Sequence, residues 1–242
     1  MSKKKILLLV EGEKKEVKLM EHIFSLYEGF KEKYVIVSYC TNIYTLYNEL
    51  FSDNDEDDLD LLQVLKSKES DMDKREILND NYTDILLIFD LDSHDEGFTD
   101  EKIIRMQSYF NESSDNGKLY LNYPMVEAFN HVCRFPDKEF INRIVKKDEL
   151  TNGTYKTRVN NESAANDLRK ITKEHCNIII LQNLEKSLKI LNSDISISDK
   201  EWVFIDFITL LNEQLSCFDK DYLYILCTCV LYIYDYNFKL IY

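Results

Sequence analysis

Along the first half of the chain, unbroken apolar runs alternate with stretches in which apolar residues return every three or four positions. "KILLLV" (5–10) has no polar residue after Lys5, the pattern of a strand buried on both faces. Val17, Met20, Ile23, Phe24 and Tyr27 then recur at helical spacing and predict a helix over about 13–28. "YVIVSYC" (34–40) predicts a second strand, "NIYTLYNELF" (42–51) a second helix, 84–89 a third strand, 99–110 a helix and "GKLYLNYP" (117–124) a fourth strand. Such alternation implies an α/β fold with a mostly parallel sheet flanked by helices.

From "VEAFNHVCRF" (126–135) onward helical spacing dominates, with helices expected over 162–175, 183–192 and 201–216. The expected organisation is therefore an α/β domain over 1–135 and a mainly helical C-terminal region over 136–242. Two segments interrupt this pattern. "SDNDEDDLD" (52–60) opens an acidic insertion running to about residue 80. Asp53, Asp55 and Asp57 match the first ligand positions of a calcium-binding EF-hand loop, but position six is Asp58 instead of glycine and position twelve Val64 instead of glutamate, so a solvated insertion or loop that continues through a polar helical piece to about residue 80 is expected. "YLYILCTCVLYIYDYNFKLIY" (222–242) approaches membrane-spanning length but carries Asp235, Lys239 and many tyrosines, and reads as a buried terminal element with no membrane span.

Composition refines this picture. The five-residue apolar run after the N-terminal lysines is too short for a secretory signal, so a cytoplasmic location is expected. Six cysteines show no zinc-type spacing and are expected to be buried, reduced thiols. The net charge of −14 argues against loose electrostatic binding to nucleic acid. That charge is uneven: residues 1–130 carry 15 basic against 28 acidic residues, while 134–173 carry ten against six. This basic zone holds Arg143, Lys146, Lys147, Lys156 and Arg158.

The expected strands end in acid. Glu11 follows the first, ahead of Gly12, which permits a tight turn, and Glu16 lies one and a half turns into the next helix. Glu13 reads as an ordinary first-turn acid. Asp90 and Asp92 close the third strand; in an extended segment they project to one side about 7 Å apart, where both can address one hard cation that relieves their repulsion. Glu127 follows the fourth strand. His94, Asp95 and Glu96 read as a solvated loop, and His131 and Tyr155 as packing residues.

"LLIFDLDS" resembles the nucleophile motif of haloacid-dehalogenase-type phosphatases, in which the first aspartate attacks phosphorus. That motif usually stands on the first core strand, whereas here an acid-tipped strand precedes it. "LLLVEGEKKE" followed by "LLIFDLD" instead resembles the Toprim domain, the metal-binding α/β module of topoisomerases, DnaG-type primases, OLD-family nucleases and RloB-like proteins. "LNYPMVEAF" is similar to the Asn-x-Pro-x-x-Glu segment of the OLD/RloB-like and abortive-infection branch, which includes AriB-type phage-defence effector nucleases. The resemblance covers about residues 4–132 and departs at Lys15, where the relatives often carry threonine.

It implies Glu11 as acid/base or metal ligand, Asp90 and Asp92 as ligands of Mg²⁺ (or Mn²⁺), and Glu16 and Glu127 as further acids of the metal site. The expected activity is a Mg²⁺-dependent endonuclease cutting DNA or RNA, with tRNA among the candidates, in a bacterial antiviral system. Lys156 is the expected catalytic cation, helped by Arg158 at the scissile phosphate, with Arg143, Lys146 and Lys147 along the nucleic acid. Many of the proteins it resembles work beside an ABC-type ATPase, and this chain has no G-x-x-x-x-G-K-[ST] of its own, so the resemblance implies a separately encoded ABC-type ATPase or other regulatory partner. Oligomeric state stays open, a homo-oligomer included. A non-catalytic Toprim-fold assembly module partnering such an ATPase is the rival expectation.

Overall fold

The computed structural model describes residues 5–31, 33–51, 59–194, 197 and 201–242. Residues 52–58 of the acidic insertion lie outside the described residues, so its EF-hand-like aspartates have no structural reading. In chain order the N-terminal half runs β1 (Ile6–Val10), α1 (Lys15–Ser25), β2 (Tyr34–Ser38), α2 (Ile43–Phe51), α3 (Leu61–Lys68), α4 (Met72–Leu78), β3 (Asp84–Asp90), α5 (Asp100–Tyr109), β4 (Asn111–Glu112) and β5 (Gly117–Asn122). β6 (Ile144–Lys146), α6 (Lys147–Thr151), α7 (Thr154–Glu162), α8 (Lys173–Ile190), α9 (Phe207–Phe218), β7 (Tyr222–Tyr224) and α10 (Leu231–Asn237) follow.

The main sheet has the order β2-β1-β3-β5-β4, parallel except for the short edge strand β4. The class is thus α/β with a mostly parallel five-stranded sheet. All five residues of β1 are buried, because helices cover the sheet on both faces. In register, Val10 pairs with Ile88 of β3 and Asp90 pairs with Asn122 of β5, so three neighbouring strands end at one edge.

Downstream, four helical expectations need correction. Residues 162–175 do not form one helix. Ala164 N–H donates to Val132 O and Ala165 O accepts from the Asn130 side chain, which holds this segment irregular until Thr172 caps α8 through His175 N–H. The 183–192 helix is the second half of the longer α8. The 201–216 helix starts only at Phe207, since the Asp206 side chain accepts from Ile208 and Thr209 N–H and ends the extended stretch before it. "VEAFNHVCRF" forms a short 3-10 turn, Val126–Phe129, and no α-helix. It is interrupted by the Asn130 bond just described and by Asp137, which accepts from Cys133 N–H.

The core runs across residue 135. Tyr232 of α10 packs among Phe24, Phe30 and Tyr120, and Tyr123 and Leu226 exchange backbone hydrogen bonds that join the C-terminal segment to the end of β5. Residues 222–242 form β7, a buried loop and α10; no helix among the described residues is long and apolar enough to cross a membrane. Cys176, Cys217, Cys227 and Cys229 are buried free thiols, but Cys40 and Cys133 are exposed, so burial holds for only part of the cysteine set.

One polar tie fastens the C-terminal helix to the sheet. Asp235 accepts from Lys118 Nζ at 2.8 Å and from Tyr120 O–H at 2.9 Å, in a largely desolvated setting. Asp235→Ala strands both donors and is expected to lower stability by about 2–3 kcal/mol, read as a shift in the urea unfolding midpoint.

Candidate functional site

The carboxyl edge of the sheet gathers acids from three strand ends. Glu11 leaves β1 with its backbone still engaged in the sheet: its N–H donates to Ile88 O at 3.2 Å and its carbonyl accepts from Cys40 N–H at 2.9 Å. Its Oε2 accepts from the backbone N–H of Asp90 at 3.1 Å, so the tips of β1 and β3 are tied through a carboxylate. Gly12 follows. A Cβ there would stand 2.5 Å from Glu16 Oε2, so the missing side chain is what lets Glu16 fold from α1 back over the strand end. Glu13 is exposed and meets the Cys40 thiol at 3.2 Å, to one side of the cluster.

Asp90 is buried at the end of β3. Its carboxylate accepts from Asn122 Nδ2 at 3.3 Å. The expectation of an extended Asp-Leu-Asp needs correction. The strand ends at Asp90, and Asp92 takes a left-handed conformation at φ 39°, tolerable for aspartate. The cause lies in Leu91, which is fully buried, donates its N–H to Asn122 O and offers its carbonyl to the Tyr44 hydroxyl. Asp92 joins the cluster through this turn and not through strand pleat.

Burial and mutual repulsion set the protonation of these groups. Burial chiefly, then the neighbouring Asp92 carboxylate, pushes Glu11 up to about 8, against the opposing pull of the Asp90 N–H and Lys156. Asp90 is raised as well, by burial first and then by Glu11 and Asp92. Burial also raises Asp92, with His94 and Lys156 opposing.

Glu127 sits in the 3-10 turn, its side chain only 10% exposed. Lys15 Nζ lies 2.9 Å from its Oε1, and Lys156 Nζ lies 3.6 Å from the same oxygen. Glu11, Glu16, Asp90, Asp92, Glu127 and Lys156 are therefore brought into one neighbourhood. The other basic candidates are not. Arg158, two residues from Lys156 on α7, points away to Glu149, Glu162 and Ile144 O. Arg143 is held by Asp137 at 2.7 Å and by His131 O. Lys147 covers the Phe218 ring at 4.2 Å, and Lys146 is exposed at the end of β6. His131 bonds Glu162 at 2.9 Å and packs on the buried Tyr155, clear of the acids. Asp95 accepts from Asn42 and from Gly97 N–H, which makes it a loop organiser.

Three contributors had no role assigned from the sequence pattern. Asn122 orients Asp90 and also accepts from Cys229 N–H; its signal was its place at the tip of the strand, two residues before Pro124. Tyr44 sets the Leu91 turn and had no signal beyond an apolar helix face. Lys15 stood in the sequence only as a departure from the resembling pattern.

The donor set consists of carboxylate oxygens joined by one amide, with no imidazole or thiolate among them, and so suits a hard divalent cation. Among the described residues no three His, Cys, Asp or Glu side chains stand together as a ready-made ligand group. In this state Glu11 turns to a backbone N–H and Glu127 to two lysines, which keeps the negative charges apart. Comparison with known proteins finds no match to a protein-family model, a curated protein or a solved structure.

A carboxyl group raised in the folded state binds its proton more tightly there than in the unfolded chain. Its contribution to stability is complete below the ordinary value of 4.5 and is lost as pH rises through about 8. The metal-free protein is expected to lose thermal stability across that window and to regain it at the alkaline end with Mg²⁺, and Glu11→Gln should flatten the profile. Scanning fluorimetry across pH, with and without Mg²⁺, reads both effects.

Proposed function

We propose that this chain is a Toprim-type, Mg²⁺- or Mn²⁺-dependent endonuclease that hydrolyses phosphodiester bonds of DNA or RNA, tRNA being one candidate. The observation that carries this reading is the convergence of Glu11, Asp90 and Asp92 at the tips of adjacent parallel strands, desolvated and repelling one another. The carboxyl edge of a parallel sheet is where such folds place their chemistry. Oxygen-only donors in a repulsive cluster are best reconciled by a divalent cation, and Asp90 and Asp92, with Glu16 beside them, would hold it. A cation bound there supplies a more acidic water and neutralises charge growing on the phosphoryl oxygens.

The residues of the chain do the rest. Glu11, with its affinity for a proton near neutrality, accepts the proton of the attacking water. Asn122 fixes the Asp90 carboxylate, and the Leu91–Tyr44 contact fixes the turn that presents Asp92. Lys156, exposed at its tip and within reach of the acids, meets the phosphate. The acidic overall surface keeps bulk nucleic acid away, consistent with an effector held inactive until a partner, such as a separately encoded ATPase, releases it in antiviral defence.

Purified protein incubated with labelled tRNA, plasmid and single strands in Mg²⁺ or Mn²⁺ tests the reading. Cleavage is expected, with Asp90→Asn and Glu11→Gln each slower by about 100-fold or more. Equal cleavage by these variants removes the nuclease assignment. So does a wild-type protein that cuts nothing even with a candidate ATPase, which leaves an assembly module. Turnover of small phosphate esters with an aspartyl-phosphate at Asp90 points to a phosphatase instead.

A further inference from the structure

Glu127 is an unusual member of an acidic cluster because two cations already neutralise it. Lys15 opens α1, Lys156 stands in the first turn of α7, and both ammonium groups address the same oxygen, Glu127 Oε1, at 2.9 and 3.6 Å. The three side chains differ in freedom. Glu127 is 10% exposed and fixed in its turn, whereas the side chains of Lys15 and Lys156 are 44% and 62% exposed. The carboxylate is thus the static partner and the lysines are the parts that can move.

The surroundings favour an anion at this point. The first turn of α1, which begins at Lys15, has no side-chain cap, so its free N–H groups and the positive end of the helix add to the two ammonium groups. Glu11 and Asp92 are near enough to feel the charge of Lys156. A monoanionic phosphodiester placed between the lysines would present its oxygens to the same donors that Glu127 now engages, next to the carboxylates that would hold a cation.

We propose that Lys15 and Lys156 form a subsite for a phosphodiester oxygen at the mouth of the carboxylate cluster, and that Glu127 occupies this subsite as a stand-in anion until substrate phosphate displaces it. The assignment takes the phosphodiester reading above as its premise for the ligand's chemistry. Displacement links two events: once the lysines transfer to phosphate, the Glu127 carboxylate is uncovered and its charge becomes available to the cation site. A closed site thereby resists weak, non-specific anions, since each must compete with a carboxylate already in place.

Binding tests this without cleavage. The probe is a fluorescein-labelled, phosphorothioate-substituted single-stranded 12-mer of DNA, titrated by anisotropy against the full chain in EDTA, so that loss of the Glu127 charge cannot act through the cation site. Glu127→Gln keeps the shape of the side chain and removes the competing charge, so it is expected to bind about tenfold more tightly than wild type. Lys15→Ala and Lys156→Ala are each expected to bind about tenfold more weakly and to reduce the salt dependence of binding. An unchanged or weaker affinity in Glu127→Gln overturns the proposal, as do lysine variants that bind like wild type. Absence of binding by both wild type and Glu127→Gln overturns it as well. A protein that shows the expected binding pattern but cuts nothing in Mg²⁺ or Mn²⁺ keeps the subsite and loses the nuclease. One that cuts, but whose binding ignores these substitutions, does the reverse.

Discussion

The hydrogen bond from the Asp90 backbone N–H to the Glu11 carboxylate is the contact around which the site is organised. It joins the ends of two adjacent parallel strands and brings a second acid beside a buried one, where both are raised toward protonation. Sheet register makes the contact possible. With Val10 opposite Ile88 and Asp90 opposite Asn122, the chain has no freedom to place these groups elsewhere without sliding a fully buried strand. The surrounding features answer to this one crowded point: Glu16 folded over Gly12, the left-handed Asp92, Asn122 reaching across, and Lys156 from the distant α7.

Crowding buried carboxylates is costly for folding, and the structure offsets that cost in two ways. The Asp90 backbone N–H donates to Glu11 and the Asn122 amide to Asp90, and two lysines cover Glu127. What remains only partly compensated is the Glu11, Asp90 and Asp92 group, held up by burial and mutual repulsion. An arrangement that spends stability at one place while the rest of the sheet edge is well satisfied is the expected mark of a functional site. The same contrast explains why Arg143 and Arg158 matter structurally: each is absorbed in ion pairs that hold the loops after the sheet, leaving Lys156 to face the acids.

The C-terminal part contributes more to this site than its sequence suggests. The loop before α10 places Cys229 N–H on Asn122, Thr228 bonds Leu121 O, and Leu226 pairs with Tyr123. These contacts press on the end of β5 and so reach Asp90 through one amide. α7 delivers Lys156 because Tyr155 and Val159 are buried on its other side.

In the first half of the chain the alternation of the main strands and helices, the parallel sheet and the acids at the strand tips could be read in the sequence, because doubly buried strands leave continuous apolar runs and the first polar residue after each run marks the sheet edge. Glu11 and Asp90 belong to that class. The helical reading of 162–175 and 201–206 failed because side-chain caps and cross-chain bonds, such as Asn130 to Ala165, override spacing in segments without a strong apolar stripe. Periodicity also says nothing of partners. Whether Lys156 or Arg158 would turn to the acids, that Asp92 would arrive by a left-handed turn, and that Lys15 would cover Glu127 depend on which elements pack side by side. Those choices belong to the tertiary structure, since a charge acts over a few ångströms of space and not along the chain.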